Sequence, residues 1–369
     1  MSPSQPVHTA KHHITPPSSF AVPSLMPPPT DKPFAQVHRV IALFEDIQAG
    51  GHTGKELWKE YQLGRGEYEA LERQLHRDET LLGYVKDKIR YDYDVESRRI
   101  AVRMPSAVHE LFTARVEDAI LSQLKLIREE SGEAASFARK VHSARSTAIY
   151  FPIDGAPSGT TSKHEPDASF WHTDAKYPGV ILEVACLQKR KKLSRLAENY
   201  LLDSNASVRV VVGLDIEYGE NISQKATVSV WRTHIVRTPN GNELRVVQEV
   251  KDAAFRDDHG NPSDHGGLRL RLQDFAYEEL AHRELGDEDK EVSISTRQLC
   301  EYLDAAETMV ERSESLGEHK LGPGVKKRKR SETPPEDINS SDEARYVEQE
   351  VRAAKRGAED DPDYDDNSQ

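Results

Sequence analysis

A carboxylate stands where a buried strand should be apolar: Glu183 interrupts the run Val180-Ile181-Leu182-Glu183-Val184-Ala185-Cys186. An isolated buried charge is too costly to keep without a partner, so something must compensate it. Sixteen residues earlier, Pro166-Asp167 precedes Ala168-Ser169-Phe170-Trp171, a short strand that can pair with the Glu183 strand across a turn at 174–179. That antiparallel hairpin would bring Asp167 and Glu183 to one edge of a sheet. Two converging carboxylates are ligands for a hard divalent cation, Mg²⁺ or Mn²⁺. Just beyond the strand, residues 186–195 hold five cations and no acid. Lys189 and Lys192, three apart, share one face of a helix start, so one ammonium could stand near the carboxylates. The competing reading of this basic run is a solvated patch beside an acidic partner.

The elements that must position these groups follow from periodicity. Residues 147–152, 179–186, 208–216, 226–232 and 244–250 are short Val-, Ile- or Tyr-rich runs bounded by Gly, Pro, Asn or Asp, which predicts strands. One helix, 193–202, falls between the second and third. Nearly unbroken apolar strands in strand–helix–strand order argue for a sheet covered on both faces and partly parallel, an α/β class. Ile100, Val102 and Met104 alternate as a strand that opens the main domain near Arg98, and residues 108–130 read as one long amphipathic helix. Before it, residues 35–95 form a small helical unit with Gly-containing breaks. A helix-turn-helix is one reading of it, and a helical cap without a basic recognition face is the simpler one.

Other polar groups carry weaker messages. Asp215 and Glu217 form a second acidic pair at a strand end, where solvation is expected. Asp257, Asp258, His259 and His265 surround Gly260-Asn261-Pro262 and read as turn chemistry. Cys186 fits a small core residue, and Trp171 and Trp231 fit core packing better than base stacking.

Pro166-Asp167, sixteen residues, then Glu183, followed by a basic helix start, resembles the PD-(D/E)xK nuclease superfamily, the restriction-endonuclease-like fold. Met104-Pro105-Ser106 and the His109-bearing helix look like the opening of a branch of fungal proteins and bacterial endonucleases in that superfamily, where the lysine has moved into the following helix. The resemblance covers roughly residues 80–310. It implies a mixed central sheet flanked by helices, Mg²⁺ or Mn²⁺ held by Asp167 and Glu183, assistance from His109, and hydrolysis of DNA phosphodiesters. Position 185, where that superfamily usually has lysine, is Ala. The replacement must then be a migrated Lys189 or Lys192, with Gln188 a polar substitute. An inactive descendant serving as a nuclear DNA- or protein-binding module is the alternative, and a homodimer is compatible with either.

Charge and composition set the frame. The chain has 369 residues, 63 acidic and 50 basic, for a net charge of −13. Residues 1–34 hold nine of the 20 prolines and read as a disordered leader. The nuclease-like domain is expected over residues 96–313, with a disordered tail from 314 to 369. That tail contains Lys326-Lys327-Arg328-Lys329-Arg330, a compact run of the kind a nuclear import receptor reads, ahead of an acidic end. With no basic excess, binding to a duplex by phosphate neutralisation alone is excluded. No apolar run approaches the ~18 residues of a membrane helix, and two distant cysteines give neither a zinc knuckle nor a disulfide framework.

Overall fold

The computed structural model describes residues 34–51, 58–153, 159–186, 190–216, 223–239, 241–264 and 266–317, with isolated positions beyond. The chain divides into two compact units, Met1–Ser315 and Leu316–Gln369. All the elements below belong to the first. The leader, Gln188, Lys189, Glu217, His265 and the run Lys326 to Arg330 lie outside the described residues.

The chain begins with α1 (Ala35–Gln48), β1 (Trp58–Gln62), α2 (Glu67–Leu75), α3 (Glu79–Lys88), β2 (Arg90–Asp94) and β3 (Arg99–Arg103). The 35–95 segment is therefore not wholly helical. Lys59-Glu60-Tyr61, set among residues read as helical, pairs instead with β3. β3 does not open the large domain either; it lies between β1 and β2, antiparallel to both. Period two explains its double role: Ile100 and Val102 enter the core built on Val40, Phe44, Leu71 and Val85, while Arg99, Ala101 and Arg103 face the other way. The order is helix–strand–helix–helix–hairpin, with strand order β1-β3-β2. Only three residues join α2 to α3, and Asp78 caps α3 by accepting from the Leu81 N–H at 2.9 Å. The exposed charges of α3 are Glu79, Asp87, Lys86 and Lys88, so it carries no basic recognition face.

The small sheet continues through β6 (Thr161–His164) and β5 (Ile149–Pro152), giving five strands. The larger sheet has six, in the order β11-β10-β9-β8-β7-β4: β4 is Val141–Ser143, β7 Ala168–His172, β8 Val180–Cys186, β9 Val210–Ile216, β10 Ala226–Thr238 and β11 Gly241–Arg256. The expected hairpin is present, with Ala168 opposite Leu182 and Phe170 opposite Val180. β8 and β9 are the parallel pair, joined through α6 (Arg190–Asp203), and the other pairings of the sheet are antiparallel. The protein is thus a mixed α/β fold.

Each face of the six-stranded sheet has its own core. Leu182, Val184 and Val212 pack under α4 (Ala107–Arg128) and α8 (Thr296–Ser315), beside Phe112, Ile120 and Leu299. Ile181 and Val211 pack under α6 with Leu193, Tyr200 and Trp231, so Trp231 is a core residue as expected. A short pair, β12 (Leu268–Arg271) and β13 (Glu291–Ile294), with α5 (Glu133–Lys140) and α7 (Glu278–Leu285), completes the fold. Gly179 marks a close approach: a Cβ there would stand 2.2 Å from the backbone of Phe275.

Candidate active site at the sheet edge

Glu183 sits in the middle of β8 on the α6 face, fully buried. The compensating partners are Arg103, whose Nη1 donates to Glu183 Oε2 at 3.0 Å, and Tyr200, whose hydroxyl donates to Oε1 at 2.9 Å. Beside Glu183 in register stands Gly213, where a Cβ would meet the Trp231 ring at 2.7 Å. Asp167, at the entry to β7, is also buried and accepts the Val184 N–H at 2.7 Å. That bond ties the loop before β7 to the strand carrying Glu183. Arg103 Nη1 lies 3.6 Å from Asp167 Oδ1, so one cationic atom is close to both carboxylates. Arg90 Nη1 approaches the same Asp167 oxygen at 3.7 Å.

Arg103 is held from its other side by Asp92, whose Oδ2 accepts from Nε at 2.8 Å and also from Nη2. Burial works against the Arg103 charge, but Asp92, Glu183, Tyr200 and Asp167 more than offset it, keeping the group protonated well above the ordinary arginine range. Burial, then the Glu183 charge, pushes the Tyr200 hydroxyl far up, so it remains a donor. Asp92 in turn accepts the Glu165 N–H at 2.9 Å, and Glu165 accepts the Tyr91 N–H at 2.9 Å and pairs with Lys163 at 2.7 Å. The two sheets are thus joined by a continuous polar network through Arg103.

His109 lies where α4 brings it. Ser106 caps that helix by accepting the His109 N–H at 3.2 Å, and the ring Nε2 then lies 3.2 Å from Asp167 Oδ2 and 3.1 Å from the Val184 carbonyl. Both neighbours are acceptors when Asp167 is ionised, so Nε2 carries a proton. Glu110 faces Arg90 at 3.1 Å; the His109 ring 3.6 Å away, then the Arg90 charge against burial, holds its carboxyl below the usual range.

The structure brings together Asp167, Glu183 and His109. It takes Lys192 elsewhere: its ammonium pairs with Glu60 of β1 and lies 5.3 Å from the Trp58 ring centroid. Arg195 likewise pairs with Asp94 at 3.2 Å. The basic start of α6 therefore docks the helix on acids of the small sheet, a use the solvated-patch reading did not foresee. Asp215 is buried rather than solvated, adjacent in register to Ala185. Asp257 forms turn bonds to the N–H groups of His259 and Asn261, as expected.

Arg103, Asp92, Tyr200 and Arg90 are the site residues that sequence reasoning missed. The trace of Arg103 was the period-two alternation of Arg99-Ile100-Ala101-Val102-Arg103, which leaves an arginine facing away from the core.

A second group of ligand-type atoms, from His172, Asp174 and Glu284, falls within 4.8 Å and could hold a metal. Lys140 already bridges Asp174 and Glu284 at 2.9 Å each. His172 Nδ1 accepts the Asp174 N–H at 3.2 Å, which leaves the ring proton on Nε2, facing Glu284 at 3.4 Å. A metal at Nε2 would have to replace that proton, so the chain's own contacts define an ion-pair cluster.

Compared with known proteins, the chain matches no protein-family model and no curated protein.

Proposed function

We propose that this is a restriction-endonuclease-like protein that hydrolyses DNA phosphodiester bonds with Mg²⁺ or Mn²⁺, and that it acts in the nucleus. The observation that carries the reading is the convergence of Asp167, from the loop before β7, and Glu183, from β8, on one cationic atom at 3.6 and 3.0 Å. The sheet supports it: three antiparallel strands, β4, β7 and β8, followed by a crossover helix and the parallel β9, follow the resembled fold.

The residues fit a hard divalent ion. Carboxylate oxygens of Asp167 and Glu183 are hard donors, and they already share a positive charge. A bound ion would be held by these two side chains and would supply Lewis acidity toward a phosphate oxygen and an activated water. The chain's own groups do the positioning. Val184 N–H and His109 fix Asp167, Tyr200 fixes Glu183, and Arg103 and Arg90 bring positive charge to where a phosphate would accumulate negative charge.

Incubating supercoiled, linear and single-stranded DNA with the purified chain in Mg²⁺ or Mn²⁺ tests the reading. Cleavage is expected, with a loss of about 10²-fold or more in Asp167→Ala and Glu183→Ala, on the scale of removing a group that stabilises transition-state charge. Equal cleavage by both variants would assign the activity to a contaminant.

A second reading, an inactive nuclease-fold protein that binds DNA or protein, is favoured by one observation. The cation the carboxylates share is Arg103, which is permanent, while Lys192 is committed to Glu60. Absence of cleavage on every substrate would select it.

A further inference from the structure

The polar face of the small sheet is the floor of a cleft next to this site. Trp58, Asp92 and His164 come from three of its strands, and α6 forms the facing wall through Lys192, Arg195 and Asn199. The cleft measures about 70 Å³. At roughly 10–15 Å³ for each water it has room for about five.

His164 is the group without an assignment. It is 1% exposed, and neither ring nitrogen has a hydrogen-bond partner among the described residues. Native proteins rarely leave a buried polar group in that state. Its ring is confined by Phe151 and Tyr200, with centroids at 5.9 and 5.4 Å. A neutral imidazole presents one donor and one acceptor, and burial favours that neutral form. The neighbouring polar groups are committed: Lys192 to Glu60, Arg195 and Asn199 to Asp94 at 3.2 Å each, and the Trp58 indole N–H to Glu60 at 2.8 Å. The pairs of Lys192 and Arg195 are part-exposed at the mouth, so their cations can turn to an anion at little cost. Asp92 connects the cleft to the carboxylate pair through Arg103.

We propose that this cleft seats one nucleobase of the nucleic acid, with His164 reading its polar edge and Lys192 and Arg195 meeting the attached phosphate. The proposal rests on the phosphodiester-hydrolase reading, because it places the seated nucleotide beside the carboxylates. A ring stacked or wedged in such a slot and read by hydrogen bonds is how proteins hold unpaired bases.

The test titrates the full chain with each deoxynucleoside 5′-monophosphate by calorimetry, with inorganic phosphate as a control. Binding at least tenfold tighter than phosphate is expected. His164→Phe, which fills the cleft, is expected to weaken it at least tenfold, and His164→Asn, which keeps a donor and an acceptor, to restore part of it. In the unsubstituted protein the His164 ring ¹⁵N resonances are expected to move on nucleotide addition, a readout independent of whether a variant folds. Unmoved His164 resonances, or nucleotide affinity no greater than that of phosphate, would overturn the base site. Asp167→Asn separates the two ideas. Nucleotide binding without DNA cleavage by the wild type supports the cleft and removes the hydrolase, whereas cleavage with no nucleotide binding leaves the hydrolase and removes the cleft.

Discussion

At the scale of single residues, one guanidinium organises three carboxylates. Arg103 is 4% exposed, with Asp92, Asp167 and Glu183 around it, and removing one partner of such a buried set costs about 3–5 kcal/mol because the remaining charges lose their compensation. The same residue that makes the carboxylate pair tolerable in the fold also stands against entry of a second cation. Asp203, at the end of α6, behaves in the opposite way. Burial, with Glu96 and Asp94 nearby, raises its pKa from 3.8 to about 6. Between pH 4 and 6 the folded chain keeps a proton that the unfolded chain has released, so this group's contribution falls as pH rises through that window. Asp203→Asn is therefore predicted to leave stability unchanged near pH 3.5 and to raise it at pH 7. The gain is on the order of 1 kcal/mol once solvent screening is allowed for, measured by urea unfolding at the two pH values.

At the scale of elements, α6 explains both what sequence could reveal and what it could not. Its start was visible as a run of cations directly after the Glu183 strand. What the run is for depended on β1, whose Glu60 lies more than 130 residues away in sequence and receives Lys192. Long-range ion pairs leave no local periodicity, so a basic helix start reads alike whether it faces phosphate or carboxylate. The hairpin of β7 and β8 was legible because alternation and turn residues are local signals, but Glu183 lies in the middle of an internal strand and Asp167 in the loop before β7, rather than together at a sheet edge. β1 and β2 were hidden for a different reason. Their residues, Lys59-Glu60-Tyr61 and Tyr91-Asp92-Tyr93, belong to a sheet whose second face is polar, so the apolar content of each run was too low to mark a strand. Arg103 was lost with them, because its role requires β3 to lie between those two strands.

At the scale of the molecule, the net charge of −13 is spread over parts with separate uses. Within the described residues, acids of the small sheet pair with cations of α6, and the carboxylates of the candidate site pair with arginines of β2 and β3. Under the proposed reading, affinity for DNA would come from the site and a bound metal rather than from a basic face. For the basic run Lys326 to Arg330 the proposed use is an address. A fluorescent fusion with these five residues changed to Ala is predicted to lose nuclear enrichment, and unchanged enrichment would contradict that use.

The claim that Asp167 and Glu183 jointly hold a divalent ion is tested most directly by titrating the purified full chain with Mn²⁺ and counting bound ions by electron paramagnetic resonance. The hydrolase account predicts one site for each chain, competed by Mg²⁺ and lost in both Asp167→Ala and Glu183→Ala. Absence of bound Mn²⁺ in the wild type, or binding that survives both substitutions, would contradict it and leave the pair compensated by Arg103 alone among the described contacts they share.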